Sequence, residues 1–172
     1  IPPSLVKATP EAGTINFKTN RITLQFDEYV EIKDPSKILI SPYQNKTPQI
    51  TYNLRTVTIR IRDTLRPNTT YSINFGDNLA DVNEGNPYKN YSYVFSTGSH
   101  IDSLSVKGRV VLAESGAVDS TLQVYLYNVI DDSTILKYRP QYIGQVNGDG
   151  EYEIKYLPAG IYKAYVLKDG DG

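Results

Sequence analysis

Leu65-Arg66-Pro67-Asn68-Thr69-Thr70-Tyr71 lies between two runs of alternating side chains, Val57-Thr-Ile-Arg-Ile-Arg62 before it and Tyr71-Ser-Ile-Asn-Phe75 after it. Pro67 fixes φ for a turn, and Thr69 and Thr70 favour the extended chain that follows. Leu65 is expected to drop into a core. Tyr71, opening the second run, is placed to bury its ring and return its hydroxyl to a backbone group a few residues upstream. That arrangement is a tyrosine corner. Leu65, Pro67 and Tyr71 are therefore read as a structural lock on a two-layer β-stack, with no chemistry of their own.

Outward from this stretch, period-two alternation recurs and helical periodicity hardly appears. Ile22, Leu24 and Phe26 alternate with Thr23, Gln25 and Asp27, and Val57, Ile59 and Ile61 alternate with Thr58, Arg60 and Arg62. Val6–Pro10 reads as an edge strand, Tyr29–Ile32, Ile38–Ile40 and Ile50–Tyr52 as short strands, and Tyr91, Tyr93 and Phe95 as a last strand. Asp34–Lys37 has room for one helical turn, and Gly76–Asn90 reads as a long irregular loop. About seven short strands over residues 1–98 is the spacing of a β-sandwich.

A boundary is expected at residues 99–103, followed by a second β-rich unit over 104–172. There Leu122, Val124 and Leu126 alternate with Gln123, Tyr125 and Tyr127. Asn147-Gly-Asp-Gly150 reads as a hairpin turn between Tyr142–Val146 and Glu151–Tyr156, and Ile161–Leu167 as the closing strand. The fold class is all-β, two sandwiches in tandem. Roughly 70 residues without a disulfide make only a modestly stable second sandwich, whose C-terminal end is expected to be cut off.

Composition narrows the function. A net charge of −1 gives no field that draws the chain to nucleic acid or an anionic membrane. The absence of cysteine removes disulfides, zinc–thiolate clusters and a thiol nucleophile. Fifteen tyrosines against no tryptophan suit a β-surface on which the ring packs and the hydroxyl stays wet. No apolar run approaches the roughly 20 residues of a membrane span. The chain opens on Ile1-Pro2-Pro3 and ends on Lys168-Asp-Gly-Asp-Gly172, so a signal or anchor is expected to lie outside it.

Several ordered motifs carry a resemblance. Thr9-Pro10-Glu-x-Gly13, Ile22-Thr-Leu-Gln-Phe26-Asp-Glu28, Leu65-x-Pro67-x-Thr69-x-Tyr71, Asp77-Asn-Leu-x-Asp81-x-Asn83-Glu-Gly85-Asn86 and Phe95-Ser-Thr-Gly98 run through the first unit. Together they resemble the bacterial Ig-like domains of S-layer proteins and Bacteroidota lipoproteins. Val106-x-Gly108-x-Val110, Asp149-Gly150-x-Tyr152 and Leu157-Pro-Ala-Gly160-x-Tyr162 resemble carboxypeptidase-regulatory, transthyretin-like sandwiches. The pairing resembles Bacteroidota envelope lipoproteins, which implies a lipid anchor upstream of this chain and an extracytoplasmic, outer-membrane-associated location.

Candidate chemistry is sparse. His100, the only histidine, falls in the expected linker, and no acidic pair is framed for catalysis. Catalytic, metal and cofactor residues are accordingly expected to be none. Asp77, Asp81, Asn83, Glu84 and Asn86 are oxygen donors at a density that calcium uses, but Asx side chains also brace tight loops by bonding their own backbone. Arg60 and Arg62, with Arg55 and Arg66 nearby, fit a solvated sheet face better than a polyanion site. Tyr88, Tyr91 and Tyr93 are a candidate interaction face, for protein before sugar. Thr64, Ser103, Ser120 and Ser133 each follow an aspartate in a pattern that resembles the Bacteroidota O-glycosylation signal; Asp-Ser and Asp-Thr are also ordinary turn pairs. The expected function is a non-catalytic module for protein–protein assembly at a bacterial outer membrane, with a carbohydrate-binding surface module as the alternative. The expected partner is another envelope or outer-membrane protein, with no nucleic acid, no small-molecule substrate, and membrane contact only through an anchor.

Overall fold

The computed structural model describes residues 1–128 and 138–168. They form two compact units, Ile1–Ile40 with Gln44–Ile101, and Ser41–Tyr43 with the described residues from Asp102 onward. The described chain is all-β, with one 3-10 turn at Pro35–Lys37. Asp34 caps that turn by accepting from the Ser36 N–H at 3.0 Å.

In the first unit β1 (Leu5–Thr9), β2 (Arg21–Phe26), β5 (Gln49–Asn53) and β6 (Thr56–Arg60) form a four-stranded sheet in the order β1-β2-β6-β5. Opposite it, β4 (Leu39–Ser41), β7 (Thr70–Gly76) and β9 (Tyr91–Ser96) form a sheet in the order β4-β7-β9. The inward residues of both sheets make one core: Ile22, Leu24, Val57 and Ile59 from the first, and Tyr71, Ile73, Phe75, Tyr93 and Phe95 from the second. All of these are fully buried, and each contributes on the order of 1.5–3 kcal/mol of apolar burial. Period-two patterning thus becomes a two-layer sandwich.

Two details complete the first unit. Beyond β1 the chain leaves the first sheet, and residues 13–17 run along β9 in the second. Gly13 N–H donates to Val94 O at 2.7 Å, Ser96 N–H to Thr14 O at 2.9 Å, Phe17 N–H to Ser96 O at 2.9 Å and Asn16 N–H to Gly98 O at 2.8 Å. The segment Gly76–Asn90 is not irregular throughout, as its composition implies. It contains β8 (Leu79–Asp81), buried at all three residues and paired antiparallel with β3 (Val30–Ile32). Three residues that include Ala80 and a buried Asp81 are too short and too mixed to show alternation.

The outward face of the four-stranded sheet is set by register. Thr9 stands opposite Thr23, Thr23 opposite Thr58, and Thr58 opposite Thr51, a row of threonines across all four strands. Lys7, Gln25, Thr56 and Asn53 form the row on one side. Arg21, Arg60 and Gln49 form the row on the other.

In the second unit β10 (Leu104–Arg109) pairs with β13 (Glu151–Leu157). A three-stranded sheet has the order β12-β11-β14, from β12 (Tyr142–Gln145), β11 (Leu122–Tyr127) and β14 (Lys163–Lys168). Val124, Leu126, Tyr142, Ile154 and Leu157 from the two ladders share a core with Val146. Asn147–Gly150 is a turn, with Gly150 N–H donating to Asn147 O at 3.0 Å and the Asn147 side chain accepting from Asp149 N–H at 2.9 Å. It does not close a hairpin. The strands it joins enter different ladders, so the turn carries the chain from one layer to the other. Gly144 lets the layers approach: a Cβ there would sit 2.6 Å from Ile154 Cγ1.

Candidate interaction surfaces

The Leu65–Tyr71 stretch is held from two directions. Tyr71 is buried, its ring stacks on Phe95 at 5.2 Å, and its hydroxyl accepts from Arg66 N–H at 2.8 Å. Thr97 Oγ1 donates to Arg66 O at 2.6 Å and accepts from Thr69 N–H at 3.0 Å. Leu65 is half-buried against the core, while Pro67 is exposed in the turn. This lock fixes the scaffold, and Leu65, Arg66, Pro67 and Thr97 also line an open pocket together with Lys18 and Asp63.

The candidate face of Tyr88, Tyr91 and Tyr93 is not a face. Tyr93 is fully buried and donates its hydroxyl to Pro10 O at 2.8 Å. Tyr91 tilts against Phe75 at 5.6 Å, and Tyr88 meets Phe26 edge-on at 5.8 Å. Alternation puts Tyr91 and Tyr93 on the same side of β9 as Phe95, and that side is the core. Burial raises the Tyr93 phenol well above its ordinary value and pushes Tyr91 up to about 12. The Tyr91 hydroxyl is buried without a hydrogen-bond partner.

The acidic loop is organised by Asp81. Its carboxylate accepts from Glu84 N–H at 2.5 Å and Asn86 N–H at 2.8 Å, and the Glu84 bond leads in holding it below the usual carboxylate range. Both oxygens thus brace the backbone. Asp63 does the same beside Thr64, accepting from Asn45 N–H at 2.7 Å, and Asp119 accepts from the Thr121 hydroxyl and N–H beside Ser120. Thr64, Ser103 and Ser120 are all exposed, as is His100. Ser133 lies outside the described residues.

Two surfaces stand out that composition did not single out. The first is a groove beside the outward rows of the first unit, lined by Tyr29, Thr51, Asn53, Arg55, Thr56 and Thr58. The Arg55 guanidinium lies over the Tyr29 ring, 5.4 Å from its centroid. It is placed there by the two-residue turn Leu54–Arg55 between β5 and β6, in which Leu54 takes φ +53°. A leucine there is strained, since such turns ordinarily carry Gly or Asn, and this is why no turn signal marked it.

The second surface is β10, exposed at all six residues. Leu104 stands opposite Leu157, and Val106 opposite Ile154. Their partners are buried, yet Leu104 is 54% and Val106 37% exposed. Among the described residues, the opposing layer does not reach β10, and its outer edge has no partner strand.

These features define an all-β class of protein: sandwich layers fastened by a structural tyrosine lock. The chain belongs to the bacterial Ig-like domain family, whose sequence model matches residues 1–97. Domains of this family are typically non-catalytic modules of the bacterial surface or envelope. A comparison with curated proteins finds no match. Among solved structures, the chain is similar to the N-terminal part of the bacterial S-layer protein SbsC, with 12% identity and a TM-score of 0.39. That likeness covers 99% of this chain and 45% of the other, so this chain spans less than half of that length. No described helix is long and apolar enough to cross a membrane.

Proposed function

We propose that this chain is a non-catalytic module of a bacterial outer-membrane lipoprotein, held by a lipid anchor outside it, that docks another envelope protein. The observation that carries the proposal is β10. Among the described residues, Leu104 and Val106 lie on the core-facing side of their ladder and are uncovered, beside a strand edge with no partner. Native sheets usually blunt such edges, because a row of free N–H and C=O groups invites pairing. A strand from a partner would complete the ladder through main-chain bonds while its side chains cover Leu104 and Val106. We read the second unit as a transthyretin-like sandwich, with the β10 edge, open among the described residues, as its docking edge. The Ig-like unit acts as a spacer, and glycans on Thr64, Ser103 or Ser120 belong to the same extracytoplasmic setting.

The test is photo-crosslinking from position 106 in the native envelope. One envelope protein is expected in the adduct, together with slowed amide exchange along β10. Both signals are expected to vanish in a Leu104→Asp/Val106→Asp variant that still folds. An adduct that survives this variant, or β10 amides that exchange freely in the native complex, overturns the reading. Intact mass of the exported chain tests the glycans, and a mass equal to the bare polypeptide rules them out.

A further inference from the structure

The outward face of the first unit's four-stranded sheet separates charge in a way the whole chain does not. The chain carries a net charge of −1, yet the three outward rows hold Lys7, Arg21 and Arg60 and no acidic side chain. Arg21 and Arg60 stand directly opposite each other and both are exposed. Like charges in that position repel. Among the described residues no carboxylate lies within ion-pair range of Lys7, Arg21, Arg55 or Arg60. A sheet selected only for solubility would alternate signs here or pair the two arginines with Asp or Glu.

The remaining outward positions are hydroxyls and amides. The four threonines of the central row sit on adjacent strands, at a spacing of about 4.8 Å, so the row is roughly 14 Å wide. The surface is open, and beside it runs the groove where Tyr29 and Arg55 stack. We propose that this face binds an acidic polysaccharide. Arg21, Arg60 and Lys7 meet the sugar carboxylates, the threonine row meets sugar hydroxyls, and the Tyr29–Arg55 wall supports one ring of the polymer. The planar guanidinium fork matches a carboxylate with two parallel bonds. A threonine hydroxyl both donates and accepts, as a sugar hydroxyl does.

Competing partners fit less well. A protein interface draws its affinity from a buried apolar or aromatic centre, and the three rows contain no apolar residue. An anionic membrane gains from clustered lysines, and the three outward rows hold a single one, Lys7. Single-stranded nucleic acid uses successive free aromatic platforms; of the two tyrosines lining the groove, Tyr29 and Tyr52, the first is already covered by Arg55. This site is separate from β10, so its failure leaves the docking proposal standing.

The experiment measures binding of the full chain to polygalacturonate by calorimetry, with fully methyl-esterified polygalacturonate as the uncharged match. Poly-glutamate and phosphatidylglycerol vesicles report the protein and membrane alternatives. Binding to polygalacturonate is expected, weakening about tenfold or more between 50 and 200 mM salt as the cationic contacts are screened. Arg21→Gln and Arg60→Gln are each expected to lower affinity about tenfold, the size of one lost charge-assisted bond. Thr58→Val is expected to lower it less, and Lys37→Gln, away from this sheet, to leave it unchanged. Arg60→Gln is also expected to keep or raise the melting temperature, since it relieves the repulsion with Arg21; this separates lost binding from lost folding. Absence of binding to polygalacturonate overturns the proposal. So does equal binding to the methyl ester, indifference to both arginine substitutions, or tighter binding to poly-glutamate or vesicles.

Discussion

Replacing Tyr71 by Phe isolates a single hydrogen bond. The ring keeps its place, fully buried and stacked on Phe95 at 5.2 Å with an interplanar angle of 15°, so no cavity opens and no apolar burial is lost. What goes is the acceptor for Arg66 N–H, at 2.8 Å in a partly buried site. Losing one such bond costs about 1 kcal/mol net, rising to about 3 kcal/mol where the stranded donor is cut off from water. Water reaches this turn in part, so about 1–2 kcal/mol is expected. Urea unfolding should show the midpoint of the first unit's transition falling while its slope stays fixed. The melting temperature should fall by at least about 4 °C. Thr97 grips the same turn through Arg66 O and Thr69 N–H. A Tyr71→Phe/Thr97→Val cycle should therefore show coupling of at least about 0.5 kcal/mol. An unchanged midpoint for Tyr71→Phe would refute the assignment of this hydroxyl as the lock.

Tyr91→Phe should behave in the opposite way. Its buried hydroxyl has no partner, so its removal leaves stability equal or higher by about 1 kcal/mol in the same urea assay. Because burial raises the Tyr91 phenol to about 12, the native fold loses stability as pH climbs above the ordinary value of 10.0, and Tyr91→Phe should soften that alkaline decline. Asp81 works at the other limb. Its carboxyl is held below the ordinary 3.8, so its contribution is complete above that value and fades as pH falls through the native one. Asp81→Asn should flatten the acid limb of a stability–pH curve. Leu54→Asn should raise the melting temperature, by relieving about 1 kcal/mol of left-handed strain at φ +53°. Gly144→Ala should destabilise the second unit by about 1–3 kcal/mol in thermal unfolding, since its methyl would meet Ile154 Cγ1 at 2.6 Å.

How much of this was legible follows from the range of each signal. Local signals carried far: Leu65–Tyr71 and the alternation of Ile22–Phe26, Val57–Ile61 and Tyr71–Phe75 lie within single strands and need no knowledge of partners. Tyr91 and Tyr93 were misread despite a usable signal, because they share the parity of Phe95, and that residue was read as a strand's apolar member. The turn at Asn147–Gly150 was correctly placed, but whether its flanking strands pair depends on β10 and β11, far off in sequence. The threonine row and the Arg21–Arg60 pair were out of reach for the same reason. Threonines at positions 9, 23, 51 and 58 become neighbours only through register. The Leu54–Arg55 turn carried no Gly or Asn, so strain hid it.

The four backbone bonds between residues 13–17 and the β9 region give the first unit a mechanical character. The Thr14–Phe95 bridge is parallel, and it joins an early segment of the domain to its final strand. When the two ends of the domain are drawn apart, those bonds are loaded side by side in shear and must yield together, because a parallel pair pulled from opposite ends cannot unzip one rung at a time. A module built this way resists stretching between its ends: β1, which precedes the clasp and pairs with β2, takes load first, and the strands behind the clasp are shielded until it gives.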